Sequence, residues 1–416
     1  MVSIVHSANN HSKEYSTFMK NLAIRWHWLK KAMWKRRMRR SATPPTRSTV
    51  LKRFPRWFHW RHAVDQETRA PLSYFSLRPL GFSLFLALVG TLAQARPSKA
   101  GDWVVYQGKE GPSKGKHIVF ITGDEEYRSE EGLPMLAKIL AIRHGFKCTV
   151  LFPINPADGT IDPNNQTNII GLKALQDADM MVLLTRYREP PADQMKYVVD
   201  FVNSGKPIFG LRTATHAFSI SRDKQSPYAK WDANSREWPG GFGRQVLGET
   251  WVSHHGNHGQ ESTRGVINEA LKDHPILRGV EDIWGPTDVY GVTHLPADAK
   301  VLVYGQVLDG MNTDAKPVAG KKNDPMMPLV WVRNYTGDSG KTSRIICTTM
   351  GASMDLQNEG LRRLCINACY WGLGMEEKIP ARSNVEYVGE YKPTPFGFGK
   401  FKKGVKPADL EIAHHN

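Results

Sequence analysis

Four short apolar segments, separated by stretches with helical spacing, constrain the fold of this chain more than any other feature. The apolar segments span residues 117–121, 146–152, 180–184 and 207–211. Helical spacing of apolar residues covers residues 131–143 and 191–203, with a shorter predicted helix over residues 171–178. Repeated strand–helix alternation produces right-handed crossovers between parallel strands. The pattern therefore predicts an α/β fold with a mainly parallel sheet and helices on both faces.

The second half of the chain has a different pattern. Strands are predicted at residues 263–267, 300–304, 329–332 and 344–348. The last two flank the turn-rich stretch 334–340, which is typical of an antiparallel hairpin. An amphipathic helix is predicted over residues 361–373, and residues after 379 show no period. We expect one α/β domain over residues 116–378, with an antiparallel extension late in the domain and an irregular C-terminal extension over 379–416.

The net charge of +16 is concentrated near the N-terminus. Residues 1–70 contain sixteen Lys and Arg but only three acidic residues, whereas the chain beyond Ala95 is close to neutral. A nucleic-acid-binding domain normally carries its basic stripe on the folded surface. We therefore expect no nucleic-acid partner, and we interpret residues 1–71 as a basic segment that is either disordered or not translated.

Residues 72–95 have the pattern of an export signal. Arg78 precedes an apolar stretch over residues 80–92, and Ala93-Gln94-Ala95 is typical of a cleavage site. The apolar stretch is shorter than the roughly 20 residues that cross a bilayer, so we expect no stable membrane insertion after cleavage. The sequence predicts a periplasmic or secreted protein whose translation starts near residue 72, with a linker over residues 96–115.

The four cysteines favour buried thiols over a disulfide framework. Cys365 and Cys369 lie four residues apart on the predicted terminal helix, and Cys148 and Cys347 lie in predicted strands. Two cysteines on one helical face are poorly placed for a disulfide, and free cysteine is among the residues most often buried.

Polar residues follow the predicted parallel strands where each strand ends. They are residues 124–128, residues 186–188, and Arg212 with Thr213, Thr215 and His216. Ligands of open α/β folds bind at this edge, and many hydrolases carry their nucleophile on such a strand-to-helix turn. Arg212 stands at the tip of the turn and cannot act as a nucleophile. Guanidinium, carboxylate and imidazole groups together suit a sugar or another polyhydroxylated carbonyl compound, whereas Asp124, Glu125 and Glu126 would repel a phosphate ester.

Structural explanations of the same residues stay open. Residues 124–126 fit a solvated loop, Arg212 fits a structural pair with a carboxylate, and His216 fits a satisfied core histidine. His254, His255 and His258 superficially resemble a metal site, but they lack the His-Glu-x-x-His spacing. We therefore predict no cofactor and no metal site, and we keep a metal-dependent hydrolase as an alternative.

An ordered set of motifs resembles a known family. The motifs are residues 210–218 (GLRTATHAF), 247–254 (LGETWVSH), 274–279 (HPILRG), 288–290 (DVY), 330–331 (VW), 348–351 (TTMG) and 361–372 (LRRLCINACYWG). Together they resemble the ThuA-like (trehalose utilisation) family of the class I glutamine amidotransferase-like superfamily over about residues 116–378. The resemblance implies a flavodoxin-like three-layer sandwich and a link to carbohydrate metabolism.

The chain departs from the superfamily at two positions. Amidotransferases have a Gly-x-Cys-x-Gly turn where this chain has Gly210-Leu211-Arg212-Thr213-Ala214, and many relatives have Gly-His where it has Gly351-Ala352. Because the thiol and the base are both missing, glutaminase chemistry by thiolate attack is excluded. The resemblance places His254, Asp288 and Tyr290 at family positions that border the same pocket.

The leading hypothesis is an exported enzyme that acts on a sugar or keto-sugar by general acid–base chemistry, through hydrolysis or elimination/isomerisation. The predicted proton-transfer residues are His254, His216 and Asp124. The predicted ligand-binding residues are Arg212, Thr213, Thr215, Glu125, Tyr127, Tyr187, Asp288 and Tyr290. A non-catalytic carbohydrate-binding or scaffold protein is the second hypothesis. A small carbohydrate is the expected partner in both, and the oligomeric state stays open.

Overall fold

One mixed sheet organises residues 101–412, the part of the chain that the computed structural model describes. Its strands are β1 (Trp103–Gln107), β2 (His117–Gly123), β3 (Lys147–Leu151), β4 (Met180–Thr185), β5 (Ile208–Leu211), β6 (Ser262–Ile267), β7 (Trp284–Gly285), β8 (Lys300–Asp309), β9 (Lys316–Pro317), β10 (Met327–Thr336) and β11 (Thr342–Thr348). They lie in the order β1-β3-β2-β4-β5-β11-β10-β8-β6-β7, and β9 pairs with β8.

The centre of the sheet is parallel, as predicted. Strands β3, β2, β4, β5 and β11 run in the same direction. Beyond β11, strands β10, β8, β6 and β7 pair in antiparallel fashion, and β10 and β11 form the predicted hairpin. This order brings the carboxyl ends of β2, β4, β5 and β11 to one edge, where the candidate site lies.

Three α-helices cover the two faces of the sheet: α1 (Ser129–His144), α2 (Ala192–Val202) and α3 (Glu359–Gly372). Successive side chains of a strand point to opposite faces. In β2, Phe120 packs in the core that α1 and α3 share, whereas Val119 and Ile121 pack in the core that includes α2. This three-layer arrangement confirms the predicted flavodoxin-like α/β fold.

The predicted linker over residues 96–115 contains strand β1, which corrects the prediction at residues 103–107. The strand pairs with β3 in antiparallel fashion, and Val104 and Tyr106 are buried while Val105 and Gln107 are exposed. Four of its five residues, Trp103, Val104, Val105 and Tyr106, are β-branched or aromatic, a composition typical of strands that the linker prediction overlooked.

Residues 380–412 follow the surface with little regular structure, apart from a short 3₁₀ turn at Pro407–Leu410. The four cysteines are free and buried, as predicted. Within residues 101–412, no helix has the length and apolar character that a bilayer span requires. The basic segment over residues 1–71 and the signal over residues 72–95 lie outside the described residues.

Candidate functional site

The turn after β5, at the edge of the sheet, carries Arg212, whose side chain is buried and not exposed at the surface. Arg212 adopts a left-handed backbone conformation with φ of 45°, and a 3₁₀ helix, Arg212–His216, follows at once. Few residues other than glycine adopt this conformation, which occurs at sharp functional turns. The predicted strand–turn–helix is therefore present, with an arginine at its tip.

The guanidinium of Arg212 is fully buried and donates to protein groups. Its Nη1 donates to the backbone carbonyls of Asp288 (2.7 Å) and Thr349 (2.8 Å). Its Nη2 donates to Asp288 Oδ1 (2.9 Å) and to the Tyr127 hydroxyl (3.2 Å). The rings of Tyr127 and Tyr290 lie 4.5 and 3.9 Å from the guanidinium carbon. Arg212 thus forms a buried ion pair with Asp288 and does not line the cavity described below.

The buried Asp288 carboxylate links this arginine to two histidines. His254 Nδ1 lies 2.7 Å from Asp288 Oδ2, and His258 Nδ1 lies 3.0 Å from Asp288 Oδ1. Burial alone would raise the pKa of Asp288, but the charge of Arg212 and the two histidine hydrogen bonds outweigh it. The pKa is therefore held well below its usual range, and the carboxylate stays ionised.

His258 extends this network to a second carboxylate. Its Nε2 lies 3.2 Å from Glu126 Oε1, so the ring bridges Glu126 and Asp288. The hydrogen bond to Asp288 raises the pKa of His258, and burial only partly opposes it. Burial, with the nearby Asp124, raises the pKa of Glu126. The two carboxylates favour the imidazolium form of His258, in which both nitrogens donate.

A ligand can reach three members of this network, Glu126, His258 and His254, of which His254 is the most exposed. Its side chain is 36% exposed and lines the cavity. Because an ionised Asp288 accepts from Nδ1–H, the neutral ring has its lone pair on Nε2. Among the described residues, no group hydrogen-bonds to that nitrogen. The Asp288–His254 pair therefore has the geometry of a general base that is oriented by a carboxylate.

The cavity above these residues has a volume of about 350 Å³. This falls within the range of roughly 300–1,000 Å³ typical of small-molecule sites. Its lining residues are Glu126, Tyr127, Arg186, Tyr187, His216, Trp251, His254, His258, Tyr290, Gly397 and Phe398. The lining combines aromatic rings with a few charged groups.

His216 forms a buried part of the wall between Tyr187 and Trp251, with ring centroids 4.9 and 5.8 Å away. Burial, together with the charges of Arg186 and Arg212, holds the pKa of His216 well below its usual value. The Thr215 hydroxyl donates its proton to the Arg212 carbonyl, so it accepts from His216 Nδ1. His216 is therefore a neutral ring that offers Nε2 as an acceptor.

The predicted site residues fall into two groups. Tyr127, Tyr187, His216, His254 and Tyr290 line the cavity. The residues outside the lining are Arg212, Asp288, Asp124, Glu125, Thr213 and Thr215.

The residues outside the cavity organise its walls. Asp124 accepts from the backbone amides of Glu126 (2.7 Å) and Tyr127 (2.6 Å) and from the Thr213 hydroxyl, which orders the loop after β2. Glu125 pairs with Arg186 and Arg188.

Sequence reasoning did not single out Glu126, Arg186, Trp251 or Phe398 as site residues. Glu126 and Arg186 belong to the predicted strand-end groups, so position along the strands was a usable signal. Trp251 lies three residues before His254, within one of the family motifs. Phe398 comes from the irregular C-terminal extension, and no local pattern connects it to the site.

Of the three histidines that superficially resemble a metal site in the sequence, only His254 and His258 line the cavity. His255 Nε2 is bonded to the Lys322 carbonyl at 2.8 Å and does not line the cavity. His254, His258 and Asp288 offer ligand atoms within 4.8 Å of one another, so these three could hold a divalent metal. The Arg212 guanidinium, 2.9 Å from the same carboxylate, would repel such an ion.

The comparison with protein families agrees with the motifs of the sequence. The sequence profile of the ThuA family, described as trehalose utilisation, matches residues 118–372. A ThuA-like protein from Parabacteroides merdae is 15% identical, with a TM-score of 0.40 over 62% of this chain and 90% of that one. One from Bacteroides uniformis is 14% identical, with a TM-score of 0.38 over 64% and 94%. No curated protein matched the sequence.

Proposed function

The chain belongs to the ThuA (trehalose utilisation) family, and from that premise we propose that it transforms a sugar or keto-sugar derivative by general acid–base chemistry. The observation that carries the proposal is the Asp288–His254 pair at the wall of an aromatic-lined cavity. A buried carboxylate that orients an imidazole is a recurring arrangement for proton abstraction.

In the proposed mechanism His254 Nε2 takes a proton from the ligand or from water. Asp288 keeps the other proton on Nδ1 and stabilises the imidazolium that forms, while Arg212 keeps Asp288 ionised. Arg212 is therefore a positioning residue, because it does not line the cavity. Either hydrolysis or elimination/isomerisation fits a base of this kind.

Other charged groups of the cavity wall supply hydrogen-bond donors. Arg186 lines the cavity and pairs with Glu125, so its orientation is fixed before a ligand binds. His258 lies between Glu126 and Asp288 in a form that carries two protons, and its ring lies 4.8 Å from that of His254. We propose that His258 gives its Nε2 proton, which it shares with Glu126 before the ligand binds, to the leaving oxygen.

Thermal-shift screening with sugars and keto-sugars, followed by turnover assays on the ligands that stabilise the protein, tests this function. His254→Ala should abolish turnover and keep binding within a few-fold. His255→Ala is the matched control, because the neighbouring ring is bonded to Lys322 and should keep full activity. Binding without turnover in the wild type would favour a non-catalytic carbohydrate-binding protein. A lack of any carbohydrate ligand would contradict both forms of the proposal.

A metal-dependent hydrolase is the second candidate, and the arrangement of His254, His258 and Asp288 favours it. A bound Zn²⁺ would supply an activated water. Elemental analysis of the purified protein decides between the candidates. One equivalent of zinc that is lost in His258→Ala but retained in His255→Ala would support the metal, whereas a metal-free and active protein would exclude it.

We also propose that the chain is exported through the signal at residues 72–95. The small-x-small site at residues 93–95 supports this proposal. N-terminal sequencing of the natural protein should place the mature N-terminus near Arg96. A mature chain that retains residues 1–70 would contradict it.

A further inference from the structure

A segment outside the matched family region completes the wall of the cavity. Residues 391–398, named here the C-terminal strap, follow the matched residues 118–372 in sequence. The Tyr391 hydroxyl donates to the Ser353 carbonyl at 2.7 Å. The Thr394 amide and hydroxyl both donate to the Glu131 carboxylate at 2.7 Å. These bonds fasten the strap to α1 and to the loop after β11.

Gly397 joins the strap to the loop that carries Glu126 and Tyr127. Its amide donates to the Glu126 carbonyl at 2.7 Å, and the buried Arg128 donates to the Gly397 carbonyl at 3.0 Å. Gly397 has φ of 127°, which side chains rarely tolerate. The strap is therefore held in one conformation next to the site.

The strap supplies two aromatic residues with different surroundings. Phe396 packs inward, with its ring centroid 5.8 Å from Tyr127 and 5.5 Å from His258. Phe398 lines the cavity but remains 58% exposed, more than any other large hydrophobic residue among those described. The Arg186 guanidinium lies 5.0 Å from the ring of Phe398 and 5.0 Å from that of Tyr187. Phe396 anchors the strap, and Phe398 offers an aromatic surface at the mouth of the cavity.

We propose that Phe398 is a specificity-determining residue that contacts the part of the ligand farthest from His254. The face of an aromatic ring carries partial negative charge, which attracts the C–H bonds on the apolar face of a pyranose. Small-molecule sites are lined predominantly by hydrophobic and aromatic side chains, and Phe398 is an aromatic residue of this lining. The ligand class is then a glycoside whose second group, a sugar or an aglycone, packs on Phe398. This inference rests on the proposed function.

Isothermal titration calorimetry with glucose, trehalose and the keto derivatives of both tests the inference. Phe398→Ala should weaken binding of the disaccharides by about 3- to 10-fold, as expected for the loss of one aromatic contact. Binding of the monosaccharides should not change, and Phe398→Trp should restore the disaccharide affinity. With a substrate that turns over, Phe398→Ala should raise KM and leave kcat unchanged.

Ile142→Ala is the control, because Ile142 is an exposed hydrophobic residue on α1 outside the cavity. The Ile142→Ala variant should bind each of the four compounds with the same affinity as the wild type. If Phe398→Ala binds every ligand as the wild type does, or weakens both ligand sizes equally, the inference is overturned and the proposed function survives. If the wild type binds none of the four compounds, the inference is overturned, and the wider carbohydrate screen decides the proposed function.

Discussion

The buried pair of Arg212 and Asp288 makes the most quantitative prediction. Both side chains are fully shielded from solvent, and the guanidinium donates four hydrogen bonds, two of them to Asp288. Asp288→Asn removes the negative charge and leaves the guanidinium buried without a counter-charge. Breaking a buried pair in this way typically lowers the free energy of unfolding by about 3–5 kcal/mol.

Arg212→Met should lower the free energy of unfolding by less than Asp288→Asn does. Asp288 would still accept hydrogen bonds from His254 and His258, and protonation of these rings compensates part of the lost charge. The double variant should be more stable than the sum of the two single effects predicts, with a coupling of about 0.5–3 kcal/mol.

Urea unfolding followed by tryptophan fluorescence measures these differences, since the chain contains 12 tryptophans. Lys196→Met is the control, because Lys196 pairs with Asp200 on the exposed side of α2 and its loss should have no measurable effect. A loss below about 1 kcal/mol for Asp288→Asn, the value of an exposed pair, would refute the reasoning. The reasoning is also refuted if the losses of unfolding free energy in the two single variants add up to the loss in the double variant.

Three further predictions follow from individual residues. Because the pKa of His216 is depressed in the folded protein, the unfolded chain binds a proton first as the pH falls below about 6.5. The free energy of unfolding should therefore decrease from pH 7.5 to 5.5. His216→Gln should flatten this decrease, as measured by urea titrations at each pH. Gly243→Ala should lower the thermal midpoint and weaken carbohydrate binding, because the added Cβ would overlap the carbonyl oxygen of Thr215, next to His216. Gly340→Ala, in the β10–β11 turn with φ of 76° and no atom within 4 Å of its Cβ, should lower the midpoint modestly and leave binding unchanged. The four cysteines should not react with a thiol reagent until the protein unfolds, since burial raises the pKa of Cys365 to about 12; rapid labelling of the native protein would contradict this.

The parallel half of the sheet was predictable because each buried strand is a continuous apolar segment bounded by polar residues. Strand β2, with all seven residues buried, is the clearest example. Strand β1 was missed although Trp103, Val104, Val105 and Tyr106 are all strand-forming residues; only Val104 and Tyr106 of these lie in the core. The hairpin of β10 and β11 followed from its turn-rich connection.

The edge of the sheet that carries the site was predictable, but the orientation of individual side chains was not. Neighbouring residues Glu125 and Glu126 have different partners, since the first pairs with Arg186 and Arg188 and the second bonds to His258. Arg212 turns inward because Asp288, 76 positions later in the chain, neutralises it. Such long-range partners leave no local pattern in the sequence.

A crystal structure with the carbohydrate that most stabilises the protein tests the central claim most directly. The ligand should lie between Tyr187, Trp251 and His254, with one of its oxygens or acidic C–H groups within hydrogen-bond distance of His254 Nε2. A ligand bound at another surface, or bound in the cavity with His254 turned away from it, would contradict the account.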